Sequence, residues 1–329
     1  MNPFVYERAG DAAGAVAAVA ADRGAMFLGG GTNLVDHMRL GVAKPDRLVD
    51  VTRLAFDRVE EISGGGVLIG TNVRNSDLAA HPLVRKRYPM LSQALLSGAS
   101  GQLRNMATTG GNLLQRTRCV YFQDVTTPCN KRRPRSGCSA IGGYTRYHAI
   151  FGASEHCIAV HPSDMAVAMV ALDASVVVLG SSGERRIPLV DFHRLPGDEP
   201  ERDTVLQHGA LITAVELPAL PVATHSVYRK VRDRRSFAFA LVSVAAALDV
   251  QDDTVQDVRI AFGGVAHQPW RATRAEEILR GKAATPEQFG RAADAELAMA
   301  QPQPGNAFKV KMLRNMLVAT LQELAGAAS

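Results

Sequence analysis

FLGGGTNL, residues 27–34, sets three consecutive glycines between an apolar run and a Thr-Asn pair. The run Ala25–Leu28 predicts a short buried strand, and the spacing of apolar residues from Leu34 onward predicts a helix. Between them, glycines let the backbone turn its amides inward with no Cβ to obstruct a close approach. Thr32 or Asn33 is placed to cap that helix, whose positive end would favour an anion. Taken alone the triplet has two readings: a phosphate-binding turn, or a tight turn whose glycines only relieve backbone strain. It is not the nicotinamide-type fingerprint. Gly29 and Gly31 fill the first two positions of GxGxxG, but Leu34 stands at the third, and no GxxxxGK[ST] loop is present.

A second loop changes the weighing. RNMATTGGNLLQR, residues 104–116, again sets Thr, Gly, Gly and Asn before an apolar helix start. Two such loops in successive α/β units can grip one diphosphate from both sides. Around them, VYERAGDAAGAVAAVAADRGA (5–25) predicts a strand and an Ala-rich helix, and DRLVDVTRL (46–54) a strand closing the first unit near residue 55. A new strand starts at GGGVLIG (64–70), and PMLSQALLSGA (89–99) has helical spacing. MAVAMVALDASVVVLGSSGERRIPLVDF (165–192) predicts a helix and then a hairpin, LPGDEPERD (195–203) a polar link, and ITAVELPALP (212–221) a strand closed by prolines. From residue 222, strands such as SVAAALDV and VRIAFGG give way to helices after Trp270. The order is α+β, without repeats.

Composition narrows the function classes. A length of 329 residues exceeds what one core usually serves, so two or three lobes are expected. The net charge of +5 is spread along the chain and aromatics are 5% of it, which is no footprint for nucleic acid. The start of the chain, interrupted by Glu7, Asp11 and Asp22, reads as a strand and an Ala-rich helix rather than a signal peptide, and no stretch has the length expected of a membrane span.

All four cysteines fall between Cys119 and Cys157, spaced C-x9-C-x8-C-x18-C in a basic stretch punctuated by Pro and Gly. Cysteines serving only as small core residues would be scattered. A shared partner explains the crowding: two disulfides, a zinc ion or an iron–sulfur cluster. Zinc sites commonly include one close C-x2-C pair, absent here, whereas a [4Fe–4S] cluster tolerates wide spacing because each sulfur grips a different iron. Arg116, Arg118, Lys131, Arg132, Arg133 and Arg135 would help to offset an anionic cluster, although a solvated basic loop would look the same. His148, His156 and His161 are near enough to be spare ligands; with four thiolates available they read as surface or packing residues.

FLGGGTNL followed by ATTGGNLL, then HPSDMAVAMVALDA, YRKVRDRRSFAFALVSVAAAL and IAFGGVAHQPWRATRAEEILRGK, resembles the FAD-binding medium subunits of the molybdenum hydroxylases, the xanthine dehydrogenase and carbon monoxide dehydrogenase family, over essentially the whole chain. The resemblance implies an α+β fold: a two-subdomain FAD-binding module of the vanillyl-alcohol-oxidase/PCMH-like kind at 1–55 and 56–221, and a C-terminal domain at 222–329 with a small antiparallel sheet and helices. It implies that Leu28, Gly29, Gly30, Gly31, Thr32, Asn33 and Leu34 meet the FAD pyrophosphate, with Ala99, Thr108, Gly111 and Asn112 on the other side. Asp164 matches the family's acidic contact, Ile212 falls near the residue covering the isoalloxazine ring, and Lys230 lies in a segment that approaches the flavin.

Most of the family lacks the cysteine loop. The chain is similar in this respect to the FAD subunits of bacterial periplasmic aldehyde oxidoreductases and, more loosely, to the medium subunit of 4-hydroxybenzoyl-CoA reductase. That likeness implies a [4Fe–4S] cluster on Cys119, Cys129, Cys138 and Cys157, in an insertion at about 115–160. The implied role is electron transfer within a heterotrimer. A large subunit would carry the molybdenum cofactor and a small one [2Fe–2S] clusters, and no catalytic side chain is expected here. A stand-alone flavoprotein oxidase and a zinc-stapled binding protein are the alternatives. The expected location is periplasmic, by co-export with a signal-bearing partner, or cytoplasmic.

Overall fold

Three parallel strands begin the chain: β1 (Val5–Arg8), β2 (Ala25–Leu28) and β3 (Arg47–Asp50), in spatial order β1-β3-β2. The computed structural model describes residues 1–326; the last three residues of the expected C-terminal domain, 327–329, lie outside the described residues. The Ala-rich segment forms a helix at Ala12–Ala20 because alanine costs least in helical conformation and Asp11 caps it, its Oδ1 accepting from Gly14 N at 2.7 Å. Val16 and Val19 on that helix pack against Val49 and Val51.

The second sheet is antiparallel throughout: β4 (Val59–Glu61), β5 (Val67–Gly70), β6 (Ser175–Gly180), β7 (Gly183–Pro188) and β8 (Leu211–Leu217), in order β4-β5-β8-β6-β7. Helices at Pro82–Arg87 and Pro89–Ser97 both place proline in their first turn, where its missing N–H costs nothing. The third sheet holds β9 (Ser226–Val231), β10 (Val242–Gln251), β11 (Thr254–Gly263) and β12 (Trp270–Arg271), in order β12-β11-β10-β9.

One helix joins the last two sheets. Asp164–Ala171 is buried on every side, as its sequence DMAVAMVA demands, and Ser163 caps it, Oγ accepting from Ala166 N at 2.9 Å. The strand period of two explains the contact on its far side. On β10, Ala245 and Ala247 face this helix, small enough to admit it, while Val244, Ala246 and Leu248 face the opposite core. There they meet Leu313, Leu317 and Leu321 of the helix Phe308–Leu324. Among the described residues no helix is long and apolar enough to cross a membrane.

The cysteine-bearing stretch has almost no regular structure: the short helix Val120–Gln123 and an isolated bridge between Cys129 and Cys138. So long an irregular stretch inside a folded domain is uncommon unless it serves a site. Side chains replace the missing ladders. Arg132 donates to the carbonyls of Tyr121 (2.6 Å), Phe122 (2.8 Å) and Thr127. Lys309, buried in the C-terminal domain, donates from Nζ to His148 O (2.9 Å) and Gly264 O (2.8 Å).

Burial lowers Lys309 to about 7 from the ordinary lysine range, with Arg146 adding to the effect. An unfolded chain would hold this proton up to a much higher pH, so the cost of burying the charge is complete below about pH 7 and is relieved as pH rises. The stability of the wild type relative to Lys309→Met should therefore increase by ~2 kcal/mol between about pH 7 and about pH 9, read from denaturant midpoints. A pH-independent difference would mean that Lys309 keeps its proton in the folded protein as it does in the unfolded chain.

Candidate functional site

The two glycine loops meet. A methyl group at Gly30 would overlap the Met106 carbonyl, and one at Gly29 would stand 3.1 Å from Thr108 Oγ1. Gly31 has φ +73°, in the left-handed region that favours glycine, and turns the chain into the helix Leu34–Arg39. Thr108 caps the helix Thr109–Leu113 through Gly111 N (3.3 Å), and a methyl at Gly111 would lie 2.9 Å from the same hydroxyl. Behind the second loop, Asn75 N donates to Ala107 O at 2.9 Å and Thr109 N to Val73 O at 3.0 Å. Strand β5 and the turn after it thus hold the second loop, and the second loop holds the first.

Between them opens a recess of about 620 Å³, in the range of small-molecule sites. Of the residues picked out in the sequence, Gly31, Thr32, Asn33, Ala99, Gly111, Asn112, Asp164 and Lys230 line it. Leu28, Gly29, Gly30, Leu34 and Thr108 do not; Gly29, Gly30 and Thr108 shape it from behind by letting the loops touch. Ile212 is also away from the recess: it is buried in the core of the second sheet, 3.7 Å from where a methyl at Gly110 would sit. A larger depression, an open groove along β9 and the helix Phe308–Leu324, contains no glycine loop and shares only Lys230 with the described lining of the recess.

Asn33 occupies the cap position of its helix but makes no cap bond. Its Oδ1 instead accepts from Arg116 N at 3.0 Å, and its buried Nδ2 has no partner. Across the recess the buried Asn75 has an unpartnered Oδ1. An unmatched donor and an unmatched acceptor on one concave wall fit a ligand carrying both, as a dinucleotide does. Ala99, at φ +50°, is a strained non-glycine residue on the same wall.

The positive charge of the recess is largely neutralised. Lys230 Nζ pairs with Asp164 (2.7 Å), Arg118 with Asp36 (3.1 Å), and Arg104 donates to Gly98 O (2.6 Å). Arg39 also lines the recess and has no ion pair among the described residues. Asp164 further accepts from Tyr228 Oη at 2.5 Å; burial and this carboxylate push the phenol well up. Phe237 and Phe239 stand exposed at the mouth, with Arg118 stacked 5.0 Å from the Phe239 ring. Arg39, Asn75, Arg104 and the two phenylalanines were missed in the sequence; Arg104 opens the second glycine loop, and the others lie outside both loops.

Cys119, Cys129, Cys138 and Cys157 are free and line one small hollow with Phe122 and Lys131. Burial pushes Cys119 up to about 11 and Cys157 up to about 12, so binding a metal group would displace their protons. Among the described residues no three Cys, His, Asp or Glu side chains converge on a single-ion position. The basic residues of the loop are mostly committed elsewhere. Lys131, 2% exposed, bonds Pro200 O (2.7 Å) and Asp203, while Arg116 pairs with Asp203 at 2.6 Å. Burial would raise Asp203, but Lys131 and Arg116 overcome it and hold the carboxyl well below its usual range. Of the three nearby histidines, His156 is partly exposed, while His161 packs on the ring of His193. His148 is neither surface nor mere packing: its Nε2 is 3.2 Å from Cys119 Sγ. The hollow adjoins the recess, since Arg118 lines one and Cys119 the other.

Comparison with known proteins agrees with this geometry. The family described as "FAD binding domain in molybdopterin dehydrogenase" matches residues 2–220, and "CO dehydrogenase flavoprotein C-terminal domain" matches residues 226–324. The chain is 49% identical to the aldehyde oxidoreductase FAD-binding subunit PaoB of Escherichia coli, covering 98% of each sequence. It is 29% identical to the glyceraldehyde dehydrogenase medium chain of Sulfolobus acidocaldarius, over 78% of this chain and 73% of that one. Its fold superposes on a solved carbon monoxide dehydrogenase chain from Hydrogenophaga pseudoflava with a TM-score of 0.77 and 26% identity, covering 99% of this chain and 98% of that one.

Gly30→Ala forces the loops apart at the Met106 carbonyl while leaving each sheet intact. We expect flavin affinity to fall at least ~10-fold, equivalent to ~1.4 kcal/mol, with little change in far-ultraviolet circular dichroism. Wild-type flavin content in the variant would show that the contact between loops does not shape the site.

Proposed function

The chain belongs to the FAD-binding medium subunits of the molybdenum hydroxylases, and from that premise we propose that it is the electron-transfer subunit of an aldehyde-oxidising complex. It would assemble as a heterotrimer with a molybdenum-cofactor large subunit and a [2Fe–2S] small subunit, and deliver electrons to an external acceptor. Bound FAD would supply the exchange between one-electron and two-electron transfers, which no side chain can perform. A [4Fe–4S] cluster on Cys119, Cys129, Cys138 and Cys157 would supply one-electron transfer beside it.

The observation that carries the reading is the shared wall between two sites. Gly31, Thr32, Asn33, Gly111 and Asn112 present the close-packed loop surface a diphosphate requires, with Arg39 as a cation in reach of the recess. The Lys230–Asp164 pair holds the C-terminal domain against the recess, so the flavin would lie where the domains join. Four thiols around one hollow, none grouped in threes at single-ion range, suit a polynuclear cluster better than zinc. The cysteine-rich insertion and the 49% identity to an aldehyde oxidoreductase subunit together favour this assignment within the family.

Side chains here bind, orient and exclude water. The described lining of the recess holds no histidine; its buried carboxylate Asp164 accepts from Tyr228 and Lys230, and its exposed one, Asp36, pairs with Arg118.

Cys138→Ala tests the iron–sulfur half of the proposal. The assembled complex should lose about four irons, keep its FAD, and show slower bleaching of the flavin when aldehyde is added. Iron content equal to wild type would refute the cluster; lost iron with unaltered bleaching would leave it only a structural role.

A further inference from the structure

His148 is fixed from its backbone outward. Its N–H donates to Thr145 O at 2.9 Å, and its carbonyl accepts from Lys309 Nζ at 2.9 Å and Asn306 Nδ2 at 3.1 Å. The next residue, Ala149, donates to Ile158 O at 2.8 Å, which ties the segment to the one carrying Cys157. The residue is 3% exposed, so the ring has little room to swing away.

One ring nitrogen meets sulfur and the other meets nothing. Nε2 lies 3.2 Å from Cys119 Sγ, whereas Nδ1 is buried without a hydrogen-bond partner. A neutral imidazole carries a single proton, on one ring nitrogen or the other. Opposite a sulfur bearing negative charge, that proton belongs on Nε2, where it can be donated. Elsewhere in the hollow, Cys157 Sγ accepts from a backbone amide, Ala159 N at 3.5 Å, so Cys119 is the sulfur met by a side-chain nitrogen.

Resting on the reading that these cysteines hold a [4Fe–4S] cluster, we propose that His148 is a positioning residue for it. An Nε2–H···Sγ hydrogen bond to Cys119 holds that thiolate and raises the cluster's reduction potential. Reduction adds negative charge that spreads onto the ligating sulfurs, and a fixed N–H dipole aimed at one of them stabilises the reduced state more than the oxidised one. Lys309 and Asn306 contribute by clamping the His148 carbonyl, so that the C-terminal domain sets the direction of this donor.

The test is a redox titration of the assembled complex, followed by the electron paramagnetic resonance of the reduced cluster. His148→Leu keeps an apolar side chain without a donor, and His148→Gln keeps an N–H. With FAD and iron at wild-type levels, the Leu variant should shift the cluster's midpoint to more negative potential, and the Gln variant should recover most of the shift. Iron lost from the Leu variant but kept in the Gln variant would support the same donor. An unmoved midpoint in the Leu variant, an equal shift in both variants, or iron lost from both would overturn the proposal. A wild-type complex with no [4Fe–4S] signal would instead overturn the underlying reading of the cysteines.

Discussion

The contact of Gly30 with the Met106 carbonyl is the constraint on which the rest of the site depends. It brings the parallel three-stranded unit against the antiparallel one at a distance no side chain would allow. Once the loops touch there, Gly29 settles beside Thr108 and Asn33 reaches Arg116 N across 83 residues of sequence. The wall so formed is made mainly of backbone, which suits an anionic diphosphate. Amides hold it without adding titratable groups to a redox site.

A second constraint acts from the C-terminal domain. Asp164 is buried at the first turn of a helix packed between two sheets, and such a charge survives only with close partners. Tyr228 and Lys230, both on β9, supply them. Removing one member of a buried pair typically costs 3–5 kcal/mol, because the other is left uncompensated. The floor of the recess and the docking of the third sheet are therefore one interaction. The alanines at 245 and 247, too small to hold the domains apart, let the carboxylate come within reach.

Features that repeat locally were legible in the sequence, and features assembled from distant pieces were not. Glycine runs beside apolar runs announce themselves, because turn chemistry and strand period are local; both loops, the hairpin β6–β7 and the central helix are plain in the residues. Ile212 has no local mark of its place, because a branched residue on a buried strand looks the same facing a cofactor or a core. The stretch LPGDEPERD read as a solvated link, yet its Asp203 anchors both Arg116 and Lys131 from the far side of the insertion. A single carboxylate has no periodicity to mark it. Asn75 was hidden for the same reason, since one side-chain oxygen at the recess leaves no pattern; His148 was noticed, but its contact with Cys119, 29 residues away, was not. Asn33 shows the converse. Its position announced a helix cap, but the amide of Arg116 competed for the same oxygen and won.

That competition bears on how the two sites are coupled. Arg116 meets the first glycine loop through its amide and Asp203 through its guanidinium, Arg118 faces the recess, and Cys119 faces the hollow. Consecutive Cα atoms lie about 3.8 Å apart, so residues 118 and 119 cannot shift independently. Phe122 adds a rigid contact, with the Arg116 guanidinium 4.8 Å from its ring centre and His37 of the helix Leu34–Arg39 packed edge-on at 5.5 Å. An insertion without strands or long helices would ordinarily be the most mobile part of such a protein. Here its first residues are part of the wall of the glycine-loop recess and its later ones are clamped by Lys309, so its position is set by both neighbouring domains. The packing of the insertion and the shape of the recess wall are therefore set together, through the Arg116 amide on Asn33 and the Arg118–Asp36 pair.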